Sequence, residues 1–309
     1  MNIDFIISLL CGTLRTSTPI ILAALGQVYT QKSGIMDLSV EGTMIIGCLV
    51  GFIAAFFTEN LALGLIFAAM AGLLMGLFMA FLSITVKANQ VIAGTALTMF
   101  GTGFASYLYR VVFGVRKLPP VVQNFKAIDF GPLSEIPILG PILFNHNITF
   151  YGVILLVFVT WFIMDKTVFG LQVKAVGEDP SAADAKGIKV PLIRYSSVML
   201  GGIYSALAGA SMSLGYMNTY TDHMIAGRGF IAIAVVVFAR WLPFRVLFAA
   251  LLFGMANTLQ MRLQSIGVEV PSQVLQALPY ILTVIVLLGV SKHVNFPGGF
   301  GVPYSRSAK

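Results

Sequence analysis

Apolar runs long enough to cross a bilayer recur along this sequence from residue 5 to residue 290. A transmembrane helix needs about 20 such residues, and nine spans are predicted on this basis. They cover residues 5–29, 38–57, 61–82, 91–113, 148–164, 195–216, 230–239, 246–259 and 274–290. The seventh and eighth are short, as broken helices would be, and totals of eight or ten remain open. The pattern predicts an all-α polytopic membrane protein, a bundle of about 8–10 transmembrane helices in one domain over residues 1–309.

Composition favours a membrane protein over a soluble one. Of the 309 residues, 58% are hydrophobic and 10% are charged, whereas a soluble chain has about 25% charged residues. The first span is expected to be a retained helix rather than a signal peptide, because Arg15 lies in its middle and further spans follow. Cys11 and Cys48 lie in apolar stretches without metal-ligand spacing, which favours packing thiols. Neither a metal site nor redox chemistry is expected.

Lys and Arg are unevenly distributed between the predicted loops. Nine spans place the N-terminus outside the cell and the C-terminus in the cytoplasm, and cytoplasmic loops carry an excess of basic residues. On this assignment the inner segments hold twelve of the 19 basic residues and the outer loops hold five. Basic loops beside anionic lipid also account for the net charge of +7 without a nucleic-acid partner.

Small residues recur at every fourth position in three of the predicted spans. Such strips let helix backbones approach closely, which favours a packed bundle over isolated anchors. The strips are Gly47, Gly51 and Ala55; Gly72, Gly76 and Ala80; and Gly201, Ser205, Gly209 and Ser213.

Two of the predicted loops are long. Residues 114–147, outside the cell, are rich in Pro and Gly and are expected to lack long helices. Residues 165–194, in the cytoplasm, carry the signals of a short helix outside the bilayer. Asp179 suits the N-cap, Pro180 the first helical position and Gly187 the end.

The short cytoplasmic helix is predicted to present a small, smooth face. That face consists of the alanines Ala182, Ala183 and Ala185. It suits docking in a groove of another protein and not catalysis, because no paired acid and base and no activated nucleophile is nearby. The alternative is a solvated linker helix whose alanines reflect helix propensity alone.

Three motifs resemble those of ATP-binding-cassette importer permeases. The stretch AVGEDPSAADAKGIKV, residues 175–190, resembles their coupling loop. SGIMDLSVEGTMIIG at 33–47 and GRGFIAIAVVVFARWLP at 227–243 resemble the branch that carries simple sugars and nucleosides. The resemblance covers residues 20–288 and is closest to the shorter permease of nucleoside importers that use a lipoprotein receptor of the basic membrane protein type.

The resemblance implies a transport subunit of a bacterial plasma membrane, without catalytic residues, that works with several partners. These are an ATP-binding subunit, a second, longer permease or a second copy of this chain, and an extracytoplasmic substrate-binding lipoprotein. The chain has no Gly-rich phosphate loop followed by Lys and Ser or Thr, so ATP and Mg²⁺ are expected on the ATP-binding subunit and no cofactor on this chain. The residues expected to couple to that subunit are Glu178, Asp179, Pro180, Ala182, Ala183, Ala185, Gly187 and Ile188.

Polar side chains within the spans are candidates for a substrate pathway, because they are costly in hydrocarbon and usually face the bundle interior or a cavity. Amides can donate and accept hydrogen bonds, as a ribose hydroxyl or a nucleobase edge requires. Helix-to-helix contacts are the alternative role, and for Glu41 the favoured one. The candidates are Glu41, Asn89, Gln90, Thr95 and Asn257.

Other classes of membrane protein fit less well. An ion-coupled secondary transporter is the main alternative, but it normally needs acidic or His residues at mid-membrane, and the predicted spans contain only Glu41 near one end. A membrane enzyme would need a catalytic motif, and neither HExxH nor GxSxG occurs. A receptor would need a soluble sensing domain, which the sequence does not offer.

Overall fold

The computed structural model describes residues 3–114, 118–128, 130–134, 136–137, 139–266, 271–290 and 295–305. Its described residues form twelve α-helices and almost no other regular structure. The helices are α1 Ile3–Lys32, α2 Val40–Thr58, α3 Leu61–Ala80, α4 Gln90–Phe113, α5 Leu139–Leu143, α6 Ile148–Lys166, α7 Val168–Glu178, α8 Pro180–Ala185, α9 Val190–Met212, α10 Arg228–Phe238, α11 Pro243–Ser265 and α12 Ser272–Val290. Single π-helical turns, Phe81–Thr85 and Ser213–Met217, continue α3 and α9.

All nine predicted spans are helices, which confirms the polytopic all-α class. Seven helices are long and apolar enough to cross a membrane: α1, α2, α3 with its π turn, α4, α6, α9 with its π turn, and α11. The seventh predicted span is short as expected, because α10 has 11 residues. The expectation of a short eighth span was wrong, because α11 runs for 23 residues. The helix continues through Gln260 to Ser265, where polar side chains are frequent. The predicted span ended before these residues because it followed the apolar run.

The predicted cytoplasmic loop is mostly helical. α6 continues to Lys166, α7 fills residues 168–178, and α9 begins at Val190. Sequence reasoning missed α7 because its charged and polar residues break the apolar pattern. Arg194, assigned to this loop, lies inside α9 and is 1% exposed.

Helix α9 lies at the centre of the bundle, packed against α1, α2 and α3. The small-residue strips form these interfaces, as predicted. A Cβ on Gly47 would collide with Ala206, one on Gly72 with the Gly202 carbonyl, and one on Gly209 with the Met44 carbonyl. Close backbone approach, rather than interlocking large side chains, therefore sets the spacing of the central helices.

The two ends of the bundle differ. One end, here called the basic end, holds Lys32, α7, α8 and residues 295–305. Gly177 in α7 packs on the Lys32 carbonyl, and the Gly299 amide donates to the Gly177 carbonyl at 2.8 Å. At the opposite end, the Cys11 thiol donates to the Pro141 carbonyl at 3.1 Å.

The segment 114–147 lies at the opposite end. Its described part contains a 3-10 turn at Gly131–Leu133 and the five-residue α5, so long helices are lacking there as expected. Several residues used to assign orientation lie outside the described residues: Arg116, Lys117, Lys292, Arg306 and Lys309.

Replacing Gly209 with Ala should destabilise the bundle, because the new methyl would overlap the Met44 carbonyl. Overpacking of a tight core costs about 1–3 kcal/mol. Gly152→Ala in α6 is the matched control, since a Cβ there would meet nothing within 4 Å and alanine favours a helix. Thermal unfolding of the detergent-solubilised protein should show a lower melting temperature for Gly209→Ala only. Equal melting temperatures would contradict the packing described for α9.

Candidate functional site

Between α9 and α11 the chain crosses the bundle as an irregular segment, residues 218–227, followed by the short α10. The crossing starts at the opposite end, where the Asn218 carbonyl accepts from the Val122 amide at 2.9 Å. It passes the middle of α2, where the Met224 and Cys48 sulfurs are 3.2 Å apart. It reaches the basic end at Trp241, whose indole donates to Gln31 at 2.8 Å. Non-helical backbone at membrane depth is tolerated only where protein buries it or where it lines a water-filled cavity.

Glu41 joins the irregular segment to α10. Its Oε1 atom accepts from the Gly227 amide at 2.8 Å and its Oε2 atom from the Gly229 amide at 2.7 Å. A carboxylate at a helix N-terminus also interacts favourably with the helix dipole. A Cβ on Gly229 would lie 2.7 Å from Glu41, so this position requires glycine. The carboxylate, 8% exposed, has the structural role that the sequence favoured.

Three consecutive polar side chains near the middle of the irregular segment are exposed: Thr221, Asp222 and His223. Asp222 accepts a hydrogen bond from the Ser106 hydroxyl of α4 at 2.8 Å. The backbone at His223 has a φ of 60°, a left-handed conformation that is uncommon outside glycine. Sequence reasoning missed this group because it treated the segment as a loop. The available signal was the polar run NTYTDH directly after a long apolar helix.

A polar cavity of about 260 Å³ lies between α10, α11 and α12, beside the irregular segment. Its polar lining consists of Arg228, Asn257, Gln260, Gln276 and Tyr280. Asn257 is 8% exposed, and within the described ranges the amides of Asn257, Gln260 and Gln276 make no hydrogen bond. Tyr280 donates to the Ala226 carbonyl at 2.9 Å and thereby fixes one wall. Because each of these amides can both donate and accept hydrogen bonds, the cavity is suited to a polar occupant.

The other candidate pathway residues do not join this cavity. Asn89 caps α4, where its side chain accepts from the Val91 amide at 3.0 Å. Gln90 is buried and accepts from the Met36 amide at 2.7 Å. Thr95 is exposed and bonds to the Val91 carbonyl of its own helix at 2.9 Å. The expectation that they line one pathway with Asn257 receives no support from the geometry, since Asn89 lies at a helix start, where capping is the favoured role of Asn.

The predicted short helix is present as α8. The Asp179 carboxylate accepts from the Ser181 and Ala182 amides, each at 2.9 Å, and Pro180 occupies the first turn. Gly187 has a φ of +84°, so glycine is favoured at this stop. The sequence therefore predicted the start and the end of this helix correctly.

The small face of α8 is only partly exposed. Ala182, Ala185 and Gly187 are exposed, whereas Ala183 is 4% exposed and packs in the chain's own core. Ile188 donates its amide to the Ala183 carbonyl at 3.1 Å, which turns the chain back over this position. Placing Ala183 on the docking surface was therefore wrong. Of the other residues expected to couple, Glu178 and Asp179 are exposed and Pro180 and Ile188 are half-buried.

These features define a class: a membrane-embedded transport permease. Broken helices beside a cavity with convergent polar side chains are typical of transporter binding sites. The profile of the family described as "Branched-chain amino acid transport system / permease component" matches residues 9–290. The chain belongs to this family.

Relatives and a solved structure agree with this assignment. The chain is 35% identical to the guanosine ABC transporter permease protein NupQ of Bacillus subtilis over 321 residues, which cover 100% of both chains. It is also 35% identical to the protein named "Putative glucose ABC transporter permease protein TsgC13" of Haloferax volcanii over 92% of both chains. Its fold resembles an inward-facing ABC transporter of the metal-chelate type, with a TM-score of 0.51, 14% identity, and coverage of 91% of this chain and 85% of the other.

Glu41→Gln should destabilise the protein, because an amide oxygen replaces two acceptor oxygens and its NH₂ group faces a backbone donor. Loss of one buried acceptor costs about 1–3 kcal/mol. Glu59→Gln is the control, since Glu59 is exposed and such changes stay within about 0.5 kcal/mol. The measurements are the melting temperature and protease cleavage within residues 221–227, which should increase only in Glu41→Gln. Unchanged cleavage and melting would exclude the capping role of Glu41.

Proposed function

We propose that this chain is the nucleoside-translocating permease subunit of an ATP-driven importer, with a simple sugar as the alternative cargo. Family membership gives the permease class, and the amide-lined cavity beside the broken crossing supports the choice of substrate. Full-length similarity to a guanosine permease favours nucleosides, and equal identity to a glucose permease keeps sugars as the alternative.

The cavity lining matches the hydrogen-bonding pattern of a nucleoside. Each of Asn257, Gln260 and Gln276 can donate and accept hydrogen bonds, and such amides pair in a bidentate manner with nucleobase edges. Arg228 adds a cation, with one guanidinium nitrogen bonded to the Met224 and Ile225 carbonyls at 3.2 and 2.9 Å. A solute rich in hydrogen-bond acceptors and donors is therefore the favoured occupant.

We infer that the exposed face of α8, formed by Ala182, Ala185 and Gly187, docks on the ATP-binding subunit. Their small side chains permit close approach, and the neighbouring Ala183 anchors the helix to this chain. On this assignment the basic end is cytoplasmic, ATP and Mg²⁺ bind to the partner, and a substrate-binding lipoprotein delivers cargo at the opposite end.

A second permease subunit is expected to complete the pathway. Thr221, Asp222 and His223 are exposed on non-helical backbone beside the apolar helix α4, to which Asp222 is hydrogen-bonded. Contact of such backbone with lipid would be unfavourable. A companion permease facing this surface would separate it from lipid and enclose a path next to the amide-lined cavity. A longer companion is proposed, and a second copy of this chain is the alternative.

Cells that express the complete transporter should take up radiolabelled guanosine in an ATP-dependent manner. Asn257→Leu should raise the KM for uptake about tenfold, because one polar contact is lost. Gln264→Leu, on the same helix but outside the cavity lining, should leave the KM unchanged. If the cells take up glucose but not guanosine, the cargo is a simple sugar and not a nucleoside. If they take up neither solute, the proposed function is refuted.

Ala185→Asp should abolish uptake and co-purification of the ATP-binding subunit, because a charge would be buried without a partner. Ala127→Asp, an exposed position at the opposite end, is the control and should leave co-purification of the ATP-binding subunit unchanged. Ala183→Asp should instead lower the melting temperature of the isolated chain. Normal co-purification of Ala185→Asp would defeat the docking assignment.

The orientation of the chain has its own test. Labelling of Ser181→Cys by an impermeant thiol reagent on intact cells would show that the basic end is outside the cell and that the proposed orientation is wrong.

A further inference from the structure

A second, larger cavity of about 830 Å³ lies at the basic end, separate from the amide-lined cavity. It forms where the end of α3, the start of α9 and residues 304–305 meet. Much of its wall is apolar, including Ile84, Pro191 and Leu192. Neither the proposed substrate path nor the docking face of α8 requires a cavity at this place.

The polar lining of this cavity is mainly cationic. Lys87, Lys189 and Arg194 line it together with a single carboxylate, Asp184. Among the described residues, neither Lys87 nor Lys189 forms an ion pair; the ion pair found there joins Lys174 and Asp165. The cavity therefore carries an excess of positive charge.

Arg194 contributes to this excess because, among the described residues, its side chain is hydrogen-bonded to backbone carbonyls and to no carboxylate. Its Nε atom donates to Ser33 at 3.2 Å, Nη1 to Val302 at 3.1 Å and Nη2 to Gly299 at 3.5 Å. These carbonyls fix the guanidinium in place but do not neutralise it. A buried cation without a carboxylate is costly, so a nearby anion would stabilise this end of the bundle.

The position of the cavity indicates the source of that anion. Lys87 lies in the turn between two membrane spans, and Lys189 and Arg194 lie at the start of a third, which is the depth of lipid headgroups. Beside them, Leu192 is 64% exposed and Val86 is 53% exposed, as expected of side chains that face acyl chains. A soluble anion would contact the cationic side chains but would leave the apolar wall of the cavity without a binding partner.

We propose that this cavity binds the headgroup of an anionic phospholipid, with Lys87 and Lys189 at the phosphate, Arg194 behind them, and an acyl chain along Leu192. Basic pockets between helices at the cytoplasmic face are suited to such headgroups. The Thr85 and Tyr195 hydroxyls, 2.5 Å apart, lie on the same wall and can add hydrogen bonds to phosphate oxygens.

The test compares lipid retention by the complete purified transporter. Mass spectrometry of the intact complex should detect bound phosphatidylglycerol in preference to phosphatidylcholine in the wild type. Lys87→Gln combined with Lys189→Gln should weaken phosphatidylglycerol binding roughly 20- to 30-fold, since each cation near a lipid surface contributes about fivefold. Lys126→Gln combined with Lys166→Gln removes the same charge outside the cavity and should retain the lipid.

Three outcomes would overturn the proposal. The first is equal phosphatidylglycerol retention by the wild type and the Lys87 and Lys189 double variant. The second is an equal loss in both double variants, which would indicate a non-specific charge effect. The third is displacement of the lipid by millimolar inorganic phosphate, which would indicate a soluble-anion site. Because lipid binding is measured without transport, these results do not depend on which solute is carried.

Discussion

The carboxylate of Glu41 fixes the irregular segment of residues 218–227 to the start of α10. A chain that leaves the helical conformation inside a membrane frees backbone groups that lipid cannot satisfy. Glu41 accepts the Gly227 and Gly229 amides where α10 begins, and Tyr280 donates to the Ala226 carbonyl. These contacts from α2 and α12 allow residues 218–227 to remain irregular. The irregular backbone in turn lies beside the cavity that Asn257 and Tyr280 line.

The sequence predicted those features that follow from local or periodic patterns. Nine apolar runs gave nine helices, because membrane spans are defined by length and hydropathy. Asp179, Pro180 and Gly187 predicted α8, because capping is decided within a few residues. The glycine strips predicted close helix packing, because small residues leave room for a facing backbone.

The features that the sequence did not predict depend on contacts between distant segments. Asn89 and Asn257 look alike in sequence, yet one caps its own helix and the other lies unpaired in a cavity. The sequence could not distinguish the buried Ala183 from the exposed Ala182, because Ala183 is buried by the return of the chain at Ile188. Asp222 and Ser106 are 116 positions apart, and no local pattern joins them. Less of the candidate site than of the fold could therefore be predicted from the sequence, because the site depends on contacts that only the three-dimensional structure shows.

Helix α1 connects the two regions to which function is assigned. At its last residue the Lys32 carbonyl meets Gly177 of α7, the helix that leads into α8. Sixteen residues earlier in the same helix, the Thr16 hydroxyl lies 3.0 Å from the hydroxyl of Thr258, the residue that follows Asn257 of the cavity wall. Between them, Pro19 interrupts the hydrogen-bond ladder of the helix. Helix α1 thus packs against both α7, which leads into α8, and α11 beside the cavity, so a displacement at its Lys32 end would be transmitted to the cavity wall along one helix that is interrupted at Pro19.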